Sequence, residues 1–258
     1  MIPDSNRIDL WCTFPATISD PALLQTYQSL LSEKERKQQQ QFHFAKDRHR
    51  YLITRALART VLSRYTSVPA EQLVFASNEF GKPHIANDLV MNNAISFNIT
   101  HADNLILISI TRDCALGIDT ENSQNREVSS DLAEYSFAAD EAADFLAQPI
   151  ERQQQRFFEF WTLKESYIKA RGMGLSIPLK QFSFRMPHQQ AMEFTIDALQ
   201  NDVPNRWRFW QFRLADDYLV AVCAEKINPT PPVLVLRQLV PLMSERILDF
   251  QLLRSLVI

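Results

Sequence analysis

The sequence predicts an α+β fold made of two similar halves, and three observations carry that prediction. The first is a faint internal repeat: Val68-Pro69-Ala70-Glu71-Gln72-Leu73-Val74-Phe75 resembles Ile177-Pro178-Leu179-Lys180-Gln181-Phe182-Ser183-Phe184. The second is a helical stretch ahead of each copy, Arg48 to Tyr65 and Gln155 to Arg171. The third is an apolar run late in each half, Leu105 to Thr111 and Tyr218 to Ala224, that reads as a strand. Helix, proline turn and late strand recur in the same order, which points to a duplication.

Within the first helical stretch Leu52, Leu57, Val61 and Leu62 supply the apolar side. Within the second, Phe157, Trp161, Lys164 and Ile168 line one face, and Phe158, Glu165 and Lys169 line its neighbour. The halves join near residues 111–116, dividing the chain into 1–112 and 113–227. The glutamine runs Gln38–Gln41 and Gln153–Gln155 sit at helix edges and read as solvated faces. Asn228-Pro229-Thr230-Pro231-Pro232 is a non-helical linker, because proline cannot continue a helix and restrains the residue before it. It opens a third segment, 228–258, whose apolar tail is expected to pack back on the body.

Composition sets outer limits. The chain has 258 residues, 46% hydrophobic and 22% charged, with a net charge of −3. That excludes a disordered protein and gives no basis for broad nucleic-acid binding or a polybasic membrane surface. Apolar runs such as Leu105-Ile106-Leu107-Ile108 fall far short of the ~20 residues of a membrane span. The first residues lack the basic and apolar regions of a signal peptide. Cys12, Cys114 and Cys223 are too few and too far apart for a disulfide framework. His43, His49, His84 and His188 lack zinc-binding spacing. A cytoplasmic globular protein is expected.

Glycine is scarce. An average usage of ~7% would give roughly 18 in a chain of this length, and there are four: Gly81, Gly117, Gly172 and Gly174. Glycine is kept where the backbone takes a positive φ or approaches another group closely, so these four mark places to look. Each lies in a segment rich in polar or charged residues. One such segment is Gly117-Ile118-Asp119-Thr120-Glu121, where a strand would set both carboxylates on one face. Such a pair is either a solvated strand edge or a repulsive couple held by a cation such as Mg²⁺.

A second group is Trp161-Thr162-Leu163-Lys164-Glu165-Ser166-Tyr167-Ile168-Lys169. Glu165 and Lys169 are helical neighbours, an arrangement most often seen as a surface ion pair. Here the surrounding aromatics leave little of the helix to face water, and a half-buried carboxylate needs a partner. A third group joins Lys82, after Gly81, with Asn98-Ile99-Thr100-His101 and with Arg48 and Arg50 at the head of the first long helix. An ammonium, a hydroxyl and an imidazole together suit phosphate oxygens, although a histidine such as His101, taken alone, is more often structural.

These pieces occur in one order: Gly81-Lys82-Pro83, Phe97-Asn98-Ile99-Thr100-His101, Gly117 to Glu121, Trp161 to Lys169, then Gly172-Met173-Gly174-Leu175-Ser176-Ile177-Pro178-Leu179. Over roughly residues 30–225 the chain resembles the surfactin-type 4′-phosphopantetheinyl transferases. The resemblance implies two similar α/β subdomains in a pseudo-twofold monomer, with coenzyme A and Mg²⁺ (or Mn²⁺) in the cleft between them. It implies transfer of the phosphopantetheine arm of coenzyme A to a serine of an apo acyl or peptidyl carrier protein, releasing 3′,5′-ADP.

By the same resemblance Asp119, Glu121 and Glu165 are metal ligands. Glu165, Lys169 and Asp119 are the catalytic set, with Glu165 as the base. Lys37, Arg50, Lys82, Pro83, Thr100, His101, Asp119 and Lys169 are coenzyme A contacts. The chain departs from the family pattern at Thr100 and Ala102, where serine is usual, and at Gln38, where a basic residue is usual and Lys37 stands beside it. Two rival readings use the same residues: a coenzyme A-binding protein without transfer, and a Mg²⁺-dependent phosphodiesterase acting on water.

Overall fold

Two long strands, Leu105–Arg112 and Tyr218–Glu225, are buried on both faces, and the computed structural model explains why. It describes residues 6–87, 95–123, 128–198, 201–215 and 217–256. The first half begins with strand β1 (Arg7–Thr13) and helices α1 (Pro21–Leu30), α2 (Glu33–Gln41) and α3 (Ala45–Ser63). The short hairpin β2 (Phe75–Ser77) and β3 (Pro83–Ile85) follows, then β4 (Ile95–Ala102) and β5 (Leu105–Arg112). The second half runs β6 (Leu116–Asn122), α4 (Ser130–Ser136), α5 (Ala139–Ala147), α6 (Ile150–Arg171), the short hairpin β7 (Phe182–Arg185) and β8 (Glu193–Ile196), then β9 (Trp207–Leu214) and β10 (Tyr218–Glu225). Three strands close the chain: β11 (Val233–Val240), β12 (Ser244–Ile247) and β13 (Gln251–Leu256).

Two sheets result, ordered β12-β11-β1-β5-β4 and β13-β9-β10-β6. They stack face to face, with α3 on the outside of the first and α6 on the outside of the second. Alternation along a strand divides its side chains between the layers. In β5, Leu105 and Leu107 enter the core between the sheets, while Ile106, Ile108 and Ile110 pack under α3 with Leu52, Ile53 and Leu57. In β10, Val220 and Val222 enter the shared core, while Leu219, Ala221 and Cys223 pack under α6 with Phe160 and Leu163. A strand covered on both faces cannot show polar alternation, which is why both runs read as continuous apolar segments.

The repeated segments have matching local structure. In each, a proline (Pro69 or Pro178) leads into a 3₁₀ turn, Ala70–Gln72 or Leu179–Gln181, and then into a short hairpin, the second copy having a further 3₁₀ turn, Gly174–Ser176, between the long helix and its proline. Both helices start earlier than the sequence indicated, at Ala45 and Ile150. The glutamines are not all solvated. Gln39 is buried, accepting from Gln28 Nε2 at 3.0 Å and donating to the Arg48 carbonyl at 3.2 Å, so it fastens α2 to α3.

The last segment does more than pack back. After the prolines, whose carbonyls at Pro229 and Thr230 accept from the buried Arg208 guanidinium at 2.6 and 3.2 Å, β11 pairs in parallel with β1. β13 then pairs antiparallel with β9, so residues beyond 228 widen both sheets. No helix among the described residues is long and apolar enough to cross a membrane.

Candidate functional site

The terminal strands of the two sheets, β4 and β6, meet, and the polar residues of both motifs come together there. Buried Asn98 on β4 accepts the Ile118 N–H of β6 at 2.9 Å, standing in for a backbone ladder bond. Helix α6 presses on the same strand at Gly117. A Cβ there would lie 2.0 Å from the Ser166 carbonyl oxygen and 2.4 Å from the Ala170 nitrogen, so only glycine permits the approach. Leu116 and Ile118 point into the inter-sheet core. Strand alternation therefore turns Gly117, Asp119 and Glu121 towards α6.

The consequence is a contact between two distant motifs. Lys169 Nζ lies 2.6 Å from Asp119 Oδ1 and donates to Thr100 Oγ1 at 3.3 Å, while the Thr100 hydroxyl donates to Asp119 Oδ1 at 3.2 Å. Asp119 Oδ2 is buried and has no hydrogen-bond partner. Burial pushes the Asp119 carboxyl above its ordinary pKa, opposed by Lys169 and Thr100. Half-buried Glu165, one helical turn before Lys169, is also pushed up, first by burial and then by the negative charge of Asp119, with Lys169 pulling the other way. The helical neighbours Glu165 and Lys169 thus face a common third group, and the ammonium is spent on Asp119.

Lys82 and Pro83 line this cleft of about 360 Å³ together with Phe80, Asn98, Glu165 and Lys169. Lys82 Nζ donates to the carbonyls of Leu116 on β6 at 2.9 Å and Ala170 on α6 at 3.1 Å. Burial pushes its pKa down to about 8. Asn78, which sequence reasoning missed, builds the turn that carries Lys82. Its Oδ1 accepts the N–H groups of Phe80 and Lys82 at 3.0 and 2.8 Å, and its Nδ2 donates to the Gly172 carbonyl at 2.7 Å. Gly172 itself ends α6 in the left-handed conformation, φ +66°, the usual backbone of a helix C-terminus. The only local hint of Asn78 was its place three residues before Gly81.

The remaining expected residues are less tightly gathered. His101 stays open to solvent on β4, and its pKa is pushed down by partial burial and then by Arg50 and Lys169, which brings both cations within its electrostatic reach. Arg50 pairs with Asp47 at 2.9 Å on α3. Glu121 follows Asp119 on the same strand face and is half-buried. Lys37 forms an exposed i,i+4 pair with Glu33 on α2, 2.7 Å apart, and nothing in its contacts ties it to the cleft.

The donor set suits a hard divalent cation. Among the described residues no three His, Cys, Asp or Glu side chains come together closely enough to hold a metal ion, so Asp119, Glu121 and Glu165 are near one another without forming a ready three-ligand set. Mg²⁺ is usually held by one or two carboxylates with substrate phosphate and water completing the shell. A buried carboxylate oxygen without a partner, beside a second carboxylate that it repels, is what such a half-site looks like before phosphate arrives.

Comparison with known proteins fits this geometry. Residues 115–223 match the model of the 4′-phosphopantetheinyl transferase superfamily, and residues 19–112 match that of the 4′-phosphopantetheinyl transferase N-terminal region. The chain is 31% identical over 198 residues to 4′-phosphopantetheinyl transferase Sfp of Bacillus subtilis, covering 77% of this chain and 84% of that one. It is 30% identical to psf-1 of Bacillus pumilus, covering 76% and 79%. It is 32% identical to HetI of a Nostoc species, covering 67% and 71%.

Proposed function

Because the chain belongs to the 4′-phosphopantetheinyl transferase superfamily and is an enzyme of that class, we infer that it transfers the phosphopantetheine arm of coenzyme A to a serine of an apo acyl or peptidyl carrier protein, releasing 3′,5′-ADP. The observation that carries the reading is the cluster of Asp119, Lys169, Thr100 and Glu165 where β4, β6 and α6 meet. In this reading the halves are related by a pseudo-twofold axis, and the cleft lined by Lys82, Pro83, Glu165 and Lys169 receives coenzyme A.

The chemical problem is attack of a neutral hydroxyl on one phosphorus of an anionic diphosphate, with an anionic nucleotide leaving. Asp119 and Glu165, with Glu121 next along the strand, would hold Mg²⁺ or Mn²⁺, which supplies charge neutralisation at the diphosphate oxygens. Lys169 and the Thr100 hydroxyl sit where they can donate to the same oxygens as charge builds on the leaving side. Lys82, held against β6 and α6 through the Leu116 and Ala170 carbonyls, would offer a second ammonium to the same cleft, and His101 and Arg50 would extend the cationic rim. Glu165, half-buried on α6 beside Asp119, would accept the serine proton.

Mass spectrometry of an apo carrier protein incubated with the enzyme, coenzyme A and Mg²⁺, with and without EDTA, tests the reading. The expected result is a gain of one phosphopantetheine arm that EDTA abolishes. Glu165→Ala is expected to lose transfer while retaining part of its coenzyme A binding. Free phosphopantetheine appearing without any carrier protein would instead establish a phosphodiesterase.

A further inference from the structure

Lys169 is positioned to do two incompatible things, and the structure catches it doing one of them. Its ammonium sits 2.6 Å from Asp119 Oδ1 and is steadied by the Thr100 hydroxyl at 3.3 Å, so it neutralises the carboxylate that the proposed cation would occupy. The pairing is incomplete on the carboxylate side, because Asp119 Oδ2 is buried and unpartnered. It is loose on the lysine side as well: the Lys169 side chain keeps 27% of its exposure against 7% for Asp119. A buried carboxylate without a counter-charge is costly and is driven towards its protonated form, so a nearby cation is drawn to it. Among the described residues the only cation hydrogen-bonded to it is Lys169.

We propose that Lys169 is a place-holding cation, which occupies Asp119 in the free enzyme and gives it up when the diphosphate of coenzyme A draws the ammonium away. The proposal rests on the reading of Asp119 as a cation ligand. It makes divalent-cation affinity depend on coenzyme A: weak in the free enzyme, where Lys169 competes, and strong once the lysine has been recruited to the diphosphate. By linkage the cation strengthens coenzyme A binding by the same factor. Thr100 serves both arrangements, since its hydroxyl contacts Asp119 and Lys169 alike. The exchange needs no backbone movement, because a flexible lysine on a helix fixed by Gly117 only has to swing.

Mn²⁺ binding to the full chain, measured by electron paramagnetic resonance with and without coenzyme A and in the absence of carrier protein, separates the possibilities. The free wild-type enzyme is expected to bind Mn²⁺ weakly and to gain at least about fivefold in affinity with coenzyme A, the lower end of ordinary site-to-site coupling. Lys169→Met leaves the buried Asp119 carboxylate short of a cation, which costs stability and raises its demand for Mn²⁺, so the variant is expected to bind Mn²⁺ about tenfold tighter than wild type in the free state and to lose most of that gain. Unchanged or weaker Mn²⁺ binding by free Lys169→Met, or a coenzyme A gain equal to that of wild type, overturns the place-holder role while leaving Asp119 as a ligand. If Asp119→Asn binds Mn²⁺ as wild type does, the metal-site reading itself falls, and the place-holder with it.

Discussion

Two lysines five positions apart on α6 form two ion pairs of opposite character. Lys164 is fully buried against fully buried Glu141 at 2.7 Å, and its other donors go to the carbonyls of Leu179 and Phe182 at 2.8 and 2.7 Å. Glu141 is equally complete, accepting the N–H groups of Ala138 and Phe184, each at 2.9 Å. Burial pushes the Glu141 carboxyl up and the Lys164 ammonium down, and their mutual pairing opposes both shifts. Lys169 and Asp119 form the second pair, half-open to the cleft, with one carboxylate oxygen unsatisfied. A closed network with every donor and acceptor used can only hold structure, here α5 and β7 against α6. An open one with a spare oxygen has capacity left for a ligand. The teaching point is that burial of charge does not distinguish the two; completeness of hydrogen bonding does.

The largest expected effect falls on the open pair. Asp119→Ala should lower transfer by roughly 10²–10³-fold, the range for losing one preorganised electrostatic group, with urea unfolding close to wild type because Lys169 can turn to solvent. A variant that unfolds early would erase the contrast between the two pairs. The closed pair should respond the other way. Lys164→Met leaves Glu141 charged, buried and unpaired, so a stability loss of about 3–5 kcal/mol is expected from urea titration. Adding Glu141→Gln should recover much of it, since the amide oxygen still accepts a backbone N–H. No recovery in the double variant would mean that the packing of Lys164, which lies 4.3 Å over the Phe182 ring, matters more than its charge.

Lys82 sharpens the comparison through pH. Its folded pKa of about 8 lies below the ordinary lysine value of 10.5. Between these values the unfolded chain binds more protons, so this residue makes stability rise with pH across that window. Coenzyme A affinity should move oppositely, falling as pH rises through about 8 and the ammonium discharges. Lys82→Met should show weaker affinity and remove both dependences, with less change in kcat than in KM. A wild-type affinity flat from pH 7 to 9 would assign Lys82 to holding β6 and α6 together through Leu116 and Ala170 rather than to phosphate. The smallest effect is expected at Thr100. Thr100→Ser keeps the hydroxyl and should cost under about twofold, whereas Thr100→Val loses its bonds to both Asp119 and Lys169 and should cost about tenfold, in line with ~1 kcal/mol or a little more.

Much of the site was legible because it depends on local periodicity. Period two set Asp119 and Glu121 on one strand face, helical spacing set Glu165 and Lys169 on neighbouring turns, and the scarcity of glycine marked Gly117 and Gly172. The partner of Lys169 was not legible. Spacing favoured Glu165, four residues away, and packing supplied Asp119, fifty residues away. Asn78 carried no signal, because its three hydrogen bonds belong to a turn and to a helix end that only tertiary contact unites. Lys37 shows the reverse failure: its place beside Gln38 suggested phosphate, and its side chain instead pairs with Glu33 on an exposed helix surface.

By itself the sequence determined the two long helices, the late strand of each half, the order of the motifs, the shared faces of Asp119 with Glu121 and of Glu165 with Lys169, and the family resemblance, because these are written in spacings of a few residues and in motif order. Only the tertiary structure decided which charges meet. The approach of α6 to β6 over Gly117, the junction of β4 with β6 through Asn98, and the spreading of the last three strands over both sheets are long-range events. They are driven by burial of apolar faces, and the polar groups carried along end as either a closed lock at Lys164 or an open one at Lys169.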